Sequence, residues 1–320
     1  MKPFKLSPAF KDYLWGGTRL RDEFGKQCDF DKVAESWELS CHKDGPSVVA
    51  TGDFAGMTLR EYLNKAGPAV LGSRGAAFAD FPILIKLIDA KDNLSVQVHP
   101  DDEYALRVEG EYGKTEMWYV VDCEPGASLI YGFRKKITKE EFRQRIENNT
   151  LLEVVDRVPV HKGDTFFIQA GTLHAIGGGI LIAEIQQNSN TTYRVYDYGR
   201  VGADGKPRQL HIDKAADVTV LAPPARPAGP EGRPESHDGY AETLLASCSC
   251  FTVREISVSG AFSAQAGDAS FHSLLTLTEG LTLRCDGEEM PLAKGDSVFI
   301  PAGTGSYTVS GCGQLLLTNL

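Results

Sequence analysis

Residues 163–174 read GDTFFIQAGTLH, and residues 295–306 read GDSVFIPAGTGS. Each copy opens on Gly-Asp, a tight turn, runs through a buried apolar strand, and closes on Ala-Gly, a second turn. A turn–strand–turn unit repeated at a 132-residue offset, from 163 to 295, marks duplicated β-structure. The first copy ends in His174 and the second in Ser306. The repeat therefore predicts two related β-barrels, one carrying a metal position and one without it.

The flanking sequence fits this frame. Short segments broken by Gly and Pro fill residues 1–60, and apolar strands are expected at Phe81–Ile88 and Leu94–His99. The strands of residues 1–60 can complete either barrel. Helices are expected where caps occur: at Thr58-Leu59-Arg60-Glu61, at Pro100-Asp101-Asp102, and at Thr138-Lys139-Glu140-Glu141. The last of these should run to about Arg157, using Phe142, Ile146, Leu151, Leu152 and Val155 as its apolar positions. Strands return from Gly163 to Asp197. Residues 222–239 hold five prolines and almost no apolar content, as in a linker or long crossover loop. Strands resume from about Ala241 to Leu320.

Composition narrows the function. The chain has 320 residues and a formal net charge of −10, with 42% hydrophobic and 24% charged residues. An acidic surface disfavours nucleic acid and anionic lipid as partners. No apolar run is long enough to span a membrane, and MKPFKLSPAF lacks the apolar core of a signal peptide. Seven cysteines without a CxxC motif read as free thiols in a reducing cytoplasm.

The chemistry concentrates in four residues. Gln97 and His99, two apart on a strand, share one face. Glu116 follows in GKTEMW, and His174 stands just past the Ala170-Gly171 turn. Either histidine alone reads as an ordinary core residue. Together with the amide and the carboxylate they form a mixed nitrogen and oxygen set suited to Zn²⁺ or another divalent first-row metal. The neutral amide leaves such an ion with net positive charge, useful for polarising a substrate oxygen. Lys114 should share the metal-facing side with Glu116, where a dication would lower its pKa and make it a proton carrier. Arg194 or Lys114 can bind an anion or neutralise developing charge. Glu184 can pair with Arg194 and position it. Trp15, Trp37 and Trp118 read as core, and Tyr193, Tyr196 and Tyr198 as alternating barrel side chains. Gly177-Gly178-Gly179 lacks the Lys-Ser/Thr of a phosphate loop and reads as a hairpin.

QVHPDDEYA, GKTEMWYV, GTLHAIGGG and AEIQQNSNTTYRVYDYGR occur in order and together resemble the type I phosphomannose isomerases, zinc enzymes of the cupin superfamily, in their short bacterial form. WGG and ESWELS near the N-terminus are similar to the same family. The likeness is strong over about residues 5–220 and weaker beyond. It implies a mainly β fold of two cupin-like (jelly-roll) β-barrels with a small helical elaboration. A metal-binding catalytic domain would span 1–221, with the elaboration near 100–160. A linker at 222–239 and a degenerate barrel at 240–320 would follow. The resemblance also implies one Zn²⁺ per chain on Gln97, His99, Glu116 and His174. Arg194, Lys114 and Glu184 would be active-site residues, and Ser95 a pocket residue. Ser95, Lys114 and Arg194 would meet the substrate.

The reaction so implied interconverts mannose 6-phosphate and fructose 6-phosphate through an enediol(ate). A non-enzymatic, regulatory sugar-phosphate-binding cupin and an iron-dependent cupin oxygenase are the competing readings. Two positions depart from the family pattern. Asn190 stands where an aspartate is usual, and an amide cannot act as a base. Gln169 replaces the proline that the second copy keeps as Pro301.

Overall fold

A computed structural model describes residues 1–201 and 205–320. The chain is built mainly from antiparallel strands arranged as two double-sheet units. These are facing sheets of the jelly-roll kind rather than closed barrels.

The first unit faces a six-stranded sheet against a five-stranded one. The six run in the order Thr165–Ile168, Glu116–Cys123, Ile180–Gln187, Ile83–Ala90, Glu35–Leu39 and Ala9–Lys11. The five run Tyr193–Tyr196, Val96–Val98, His174–Ala175, Ser128–Phe133 and Val155–Pro159. In the second unit an eight-stranded sheet faces a four-stranded one, Ala261–Ala266, Gly305–Gly311, Leu281–Cys285 and Glu288–Leu292.

Strand alternation decides what each face of the six-stranded sheet does. In the strands Ile83–Ala90, Glu116–Cys123 and Ile180–Gln187, odd-numbered residues such as Ile85, Leu87, Met117, Tyr119, Leu181 and Ala183 pack with Phe251, Leu275, Phe299 and Leu316 of the second unit. Even-numbered residues point into the first unit, where Ile88, Trp118, Val120, Ile180 and Ile182 form its core. The central strands Ile83–Ala90 and Ile180–Gln187 are consequently buried on both faces and read as near-continuous apolar runs. The charged side chains that interrupt those runs, Lys86 and Glu184, lie directly opposite one another in the ladder and face inward.

The outer face of the five-stranded sheet is covered by helices Lys139–Glu147 and Ile212–Val218, through Phe142, Ile146, Ala215 and Ala216. The helix expected from Thr138 does begin there, with the Thr138 side chain accepting from the Glu141 backbone N–H. It ends at Glu147 rather than near Arg157. Asn149 takes a left-handed conformation (φ 59°), Leu151–Glu153 form a single 3₁₀ turn, and Val155–Pro159 are a strand. Asn tolerates that conformation better than most residues and so ends helices. The other two capped helices form at Leu59–Ala66 and Asp102–Val108.

The N-terminal strands divide between the two units. Ala9–Lys11 and Glu35–Leu39 join the six-stranded sheet. Phe4–Ser7 pairs instead with Ser297–Ile300, and Val48–Val49 pairs beside it, so both extend the sheet of the C-terminal unit.

The Pro-rich crossover is strapped to the first unit. The Arg226 guanidinium lies 3.9 Å from the centre of the Phe167 ring. The Arg226 carbonyl accepts from the Tyr131 hydroxyl at 2.9 Å, and the Gly229 N–H donates to Thr165. Its final residues, Glu235–His237, add an edge strand to the second unit.

Gly177 is required by a close approach and not by phosphate. A Cβ there would stand 1.9 Å from the Ser128 carbonyl oxygen. No helix among the described residues is long and apolar enough to cross a membrane.

Candidate active site

The β-ladders bring together residues far apart in sequence. Gln97 sits in a central strand, paired with His174 on one side and Arg194 on the other. Glu116 opens its strand across from Ile168, and His99 follows directly after the Val96–Val98 strand. One ligand atom from each of His99, Glu116 and His174 lies within 4.8 Å of the other two, and all three residues are buried. The Gln97 amide is 3.4 Å from His174 Nε2. Its oxygen and nitrogen exchange places by a simple flip.

Backbone carbonyls fix which nitrogens face the centre. His99 Nδ1 donates to the Thr191 carbonyl and His174 Nδ1 to the Thr172 carbonyl, each at 2.8 Å. With the proton held at Nδ1, each ring keeps a lone pair at Nε2, 3.7 Å from Glu116 for His99 and 3.5 Å for His174, and Lys114 Nζ stands 3.2 Å from that of His99. Burial keeps both imidazoles neutral. It lowers His174 to about 4, and burial with the Lys114 charge takes His99 well below its ordinary value.

Among the described residues, Glu116 alone has two buried polar atoms without a hydrogen-bond partner. Neither carboxylate oxygen has a hydrogen-bond partner among the described residues. Lys114 Nζ stands 3.1 Å from Oε2, close enough to attract but not aligned to donate. Burial and the neighbouring Glu184 charge push Glu116 up to about 8. A buried carboxylate with orphaned oxygens, flanked by two neutral imidazole lone pairs, has the donor chemistry of a divalent metal ligand set.

Beside this cluster opens a cavity of about 300 Å³, lined by Gln97, Lys114, Glu184, Ser95, Arg194 and Trp15 among others. Glu184 does not pair with Arg194, as one reading of the sequence had it. It accepts from Trp118 Nε1 at 3.0 Å, and its other oxygen is 3.2 Å from Lys86 Nζ. Burial alone would raise Glu184, but Lys114 and Lys86 outweigh it and hold the carboxyl low. Arg194 instead donates to the Ser95 hydroxyl and the Gln209 carbonyl, both at 3.2 Å. It has no carboxylate partner among the described residues. Burial and the charge of Arg208 lower its pKa, so an anion would be welcome beside it.

Three charged cavity residues, Lys86, Glu35 and Arg208, escaped the sequence reading. Lys86 is buried between Glu184 and Glu35, whose Oε2 is 3.5 Å away. Arg208 also lines the cavity and is neutralised by Asp197 at 2.7 Å. A charged residue inside the apolar run of ILIKLIDA was the available signal for Lys86. Gln169 is exposed and lines nothing here, while Asn190 stands at the cavity wall. Trp37 and Trp118 are fully buried, and Trp15, also buried, forms part of the cavity wall.

Lys86→Met leaves Glu35 and Glu184 buried without their shared cation. The expected cost is about 3–5 kcal/mol, read as a fall in the urea unfolding midpoint. An unchanged midpoint would show that these charges are not paired in the folded protein.

The catalytic-domain model of type I phosphomannose isomerase matches residues 3–120, and the mannose-6-phosphate isomerase cupin-domain model matches residues 241–320. The chain is 39% identical to the mannose-6-phosphate isomerase ManA of Bacillus subtilis, across 100% of this chain and 99% of that one. It is 40% identical to the mannose-6-phosphate isomerase of Streptococcus mutans, across 97% and 96%.

The chain belongs to the type I phosphomannose isomerase family.

The crystal structure of the mannose 6-phosphate isomerase from Bacillus subtilis superposes with a TM-score of 0.92 at 36% identity, covering all of both chains. That likeness takes in the second unit as well as the first. There the repeat departs from the first copy at the positions of Glu116 and His174. Ile168 pairs with Glu116 in the first unit, and Ile300, its counterpart in the repeat, pairs with His272. His272 therefore occupies the Glu116 position. Its Nδ1 is hydrogen-bonded at 2.8 Å to the hydroxyl of the buried Tyr307. Ser306, the counterpart of His174, is exposed, and Tyr307 fills the interior in its place.

Proposed function

We propose that the chain interconverts mannose 6-phosphate and fructose 6-phosphate, with one zinc ion held by Gln97, His99, Glu116 and His174. One observation carries the proposal. The orphaned Glu116 carboxylate sits between two imidazoles of fixed tautomer, beside a cavity where Arg194 has no carboxylate partner among the described residues. Family membership and relatives named as mannose-6-phosphate isomerases support the choice of substrate. The catalytic unit is assigned to residues 1–221, with 222–239 as crossover and 240–320 as the degenerate second unit.

When bound, zinc would polarise a sugar oxygen and acidify the adjacent C–H bond. The rest falls to side chains. Arg194, steadied by Ser95, meets the phosphate dianion with a planar cationic fork. Lys114 sets Nζ on the cavity wall, where it neutralises charge developing on the enediolate oxygens and can hold a proton in transit between C2 and C1. Glu184, fixed by Trp118 and Lys86, anchors the Lys114 side of the cavity. Asn190 is an amide and takes no part as a base.

A coupled assay with mannose 6-phosphate tests the proposal. Turnover should vanish on chelation and return with one equivalent of zinc. Full turnover by metal-free protein, or zinc-loaded protein that binds the sugar phosphate without converting it, would overturn it.

A further inference from the structure

Glu111 lies outside the metal cluster and does not line the cavity, yet two loops converge on it. Its Oε2 accepts from the Thr191 hydroxyl at 3.3 Å and, more distantly, from the Asn190 N–H at 3.5 Å. Its Oε1 is 3.0 Å from Lys43 Nζ and 3.7 Å from His42 Nε2. The loop of residues 40–46 is tied to the loop of residues 188–192 a second time, where Asn190 Nδ2 donates to Asp44 Oδ2 at 3.0 Å. Glu111 is thus the shared acceptor of a clamp made from segments around residues 42, 111 and 190.

Two parts of the clamped loop face the chemistry. The Thr191 carbonyl accepts the His99 Nδ1 proton, which sets that ring's tautomer and its angle toward Glu116. Asn190 and Thr192, on either side, form part of the cavity wall. Any drift of residues 190–192 therefore moves an imidazole and a substrate contact together. The Asn190 amide completes the arrangement. An aspartate there would set two carboxylates about 3 Å apart at Asp44, and like charges so close repel.

We propose that Glu111 is a positioning residue for the isomerase site. It acts through Thr191 on His99 and through Asn190 and Thr192 on the substrate-facing wall. This rests on the metal reading of His99, Glu116 and His174. Glu111 touches neither substrate nor ligand atoms, so its loss should loosen the site without dismantling it.

The test uses three variants of the full chain. Glu111→Ala removes the acceptor. Thr191→Val removes one hydrogen bond while keeping the shape and the charge. Glu111→Gln keeps an acceptor oxygen for the loop. Zinc affinity is read by competition with a chromogenic chelator, and KM and kcat are measured separately at saturating zinc. For Glu111→Ala the expected result is a loss of about 10–100-fold in zinc affinity with a raised KM. Thr191→Val should show a smaller change in the same direction, and Glu111→Gln should recover most of the loss. Parental zinc affinity and KM in both Glu111→Ala and Thr191→Val would overturn the inference, even if their melting temperatures fell. If the parent chain itself binds no zinc, the metal reading fails instead, and the two failures are told apart by that control.

Discussion

His174→Ala is expected to remove both the metal and the isomerisation. His174 is fully buried, its Nδ1 is committed to the Thr172 carbonyl, and Nε2 stands 3.5 Å from the Glu116 carboxylate. Alanine deletes one of two imidazole donors and leaves a space beside the buried Glu116 carboxylate. Metal-assisted charge stabilisation is worth several kcal/mol in the transition state. A loss of about 4 kcal/mol is about a thousandfold in rate. Elemental analysis should find the variant without zinc, and the coupled assay should find turnover at least about a thousandfold down. Near-parental turnover in a zinc-free variant would show that catalysis does not run through this cluster.

Arg194→Ala separates the substrate end of the cavity from the metal end. Its guanidinium is held by neutral acceptors, the Ser95 hydroxyl and the Gln209 carbonyl, and so keeps its charge available for an anion. Truncating one partner of a buried hydrogen-bonded charge pair costs about 2–5 kcal/mol. The variant should therefore lose on the order of a hundredfold or more in kcat/KM for the sugar phosphate while keeping its zinc. Loss of zinc would make Arg194 a structural support for Gln97, its ladder partner. Unchanged kinetics would place the phosphate elsewhere.

The parts of the site legible in the sequence were those set by strand periodicity and turns. Gln97 and His99 are two apart, and His174 follows a recognisable turn, so local rules placed them. Lys86 and Glu35 were harder to see. Their meaning comes from the cross-strand neighbour, since Lys86 lies opposite Glu184 in one ladder and beside Glu35 through space. The helix from Thr138 looked longer than it is because Leu151, Leu152 and Val155 continue an apolar pattern. Asn149 breaks it first, and Val155 goes to a sheet edge. The helix Ile212–Val218 carries no side-chain cap and was not anticipated. Which unit takes Phe4–Ser7 depends on a partner almost 300 residues away, Phe4 lying opposite Phe299, and no local pattern encodes that. The second copy of the repeat did show its missing histidine. It could not show that Tyr307 turns inward and meets His272, because a one-residue change of face leaves the motif unaltered.

The most direct measurement is anomalous diffraction from crystals of the zinc-loaded protein, collected on both sides of the zinc absorption edge. A single strong peak is expected about 2.0–2.2 Å from His99 Nε2, His174 Nε2, a Glu116 carboxylate oxygen and the Gln97 amide oxygen. A peak at any other set of residues, or none in a protein that remains fully active, would contradict the four-ligand centre.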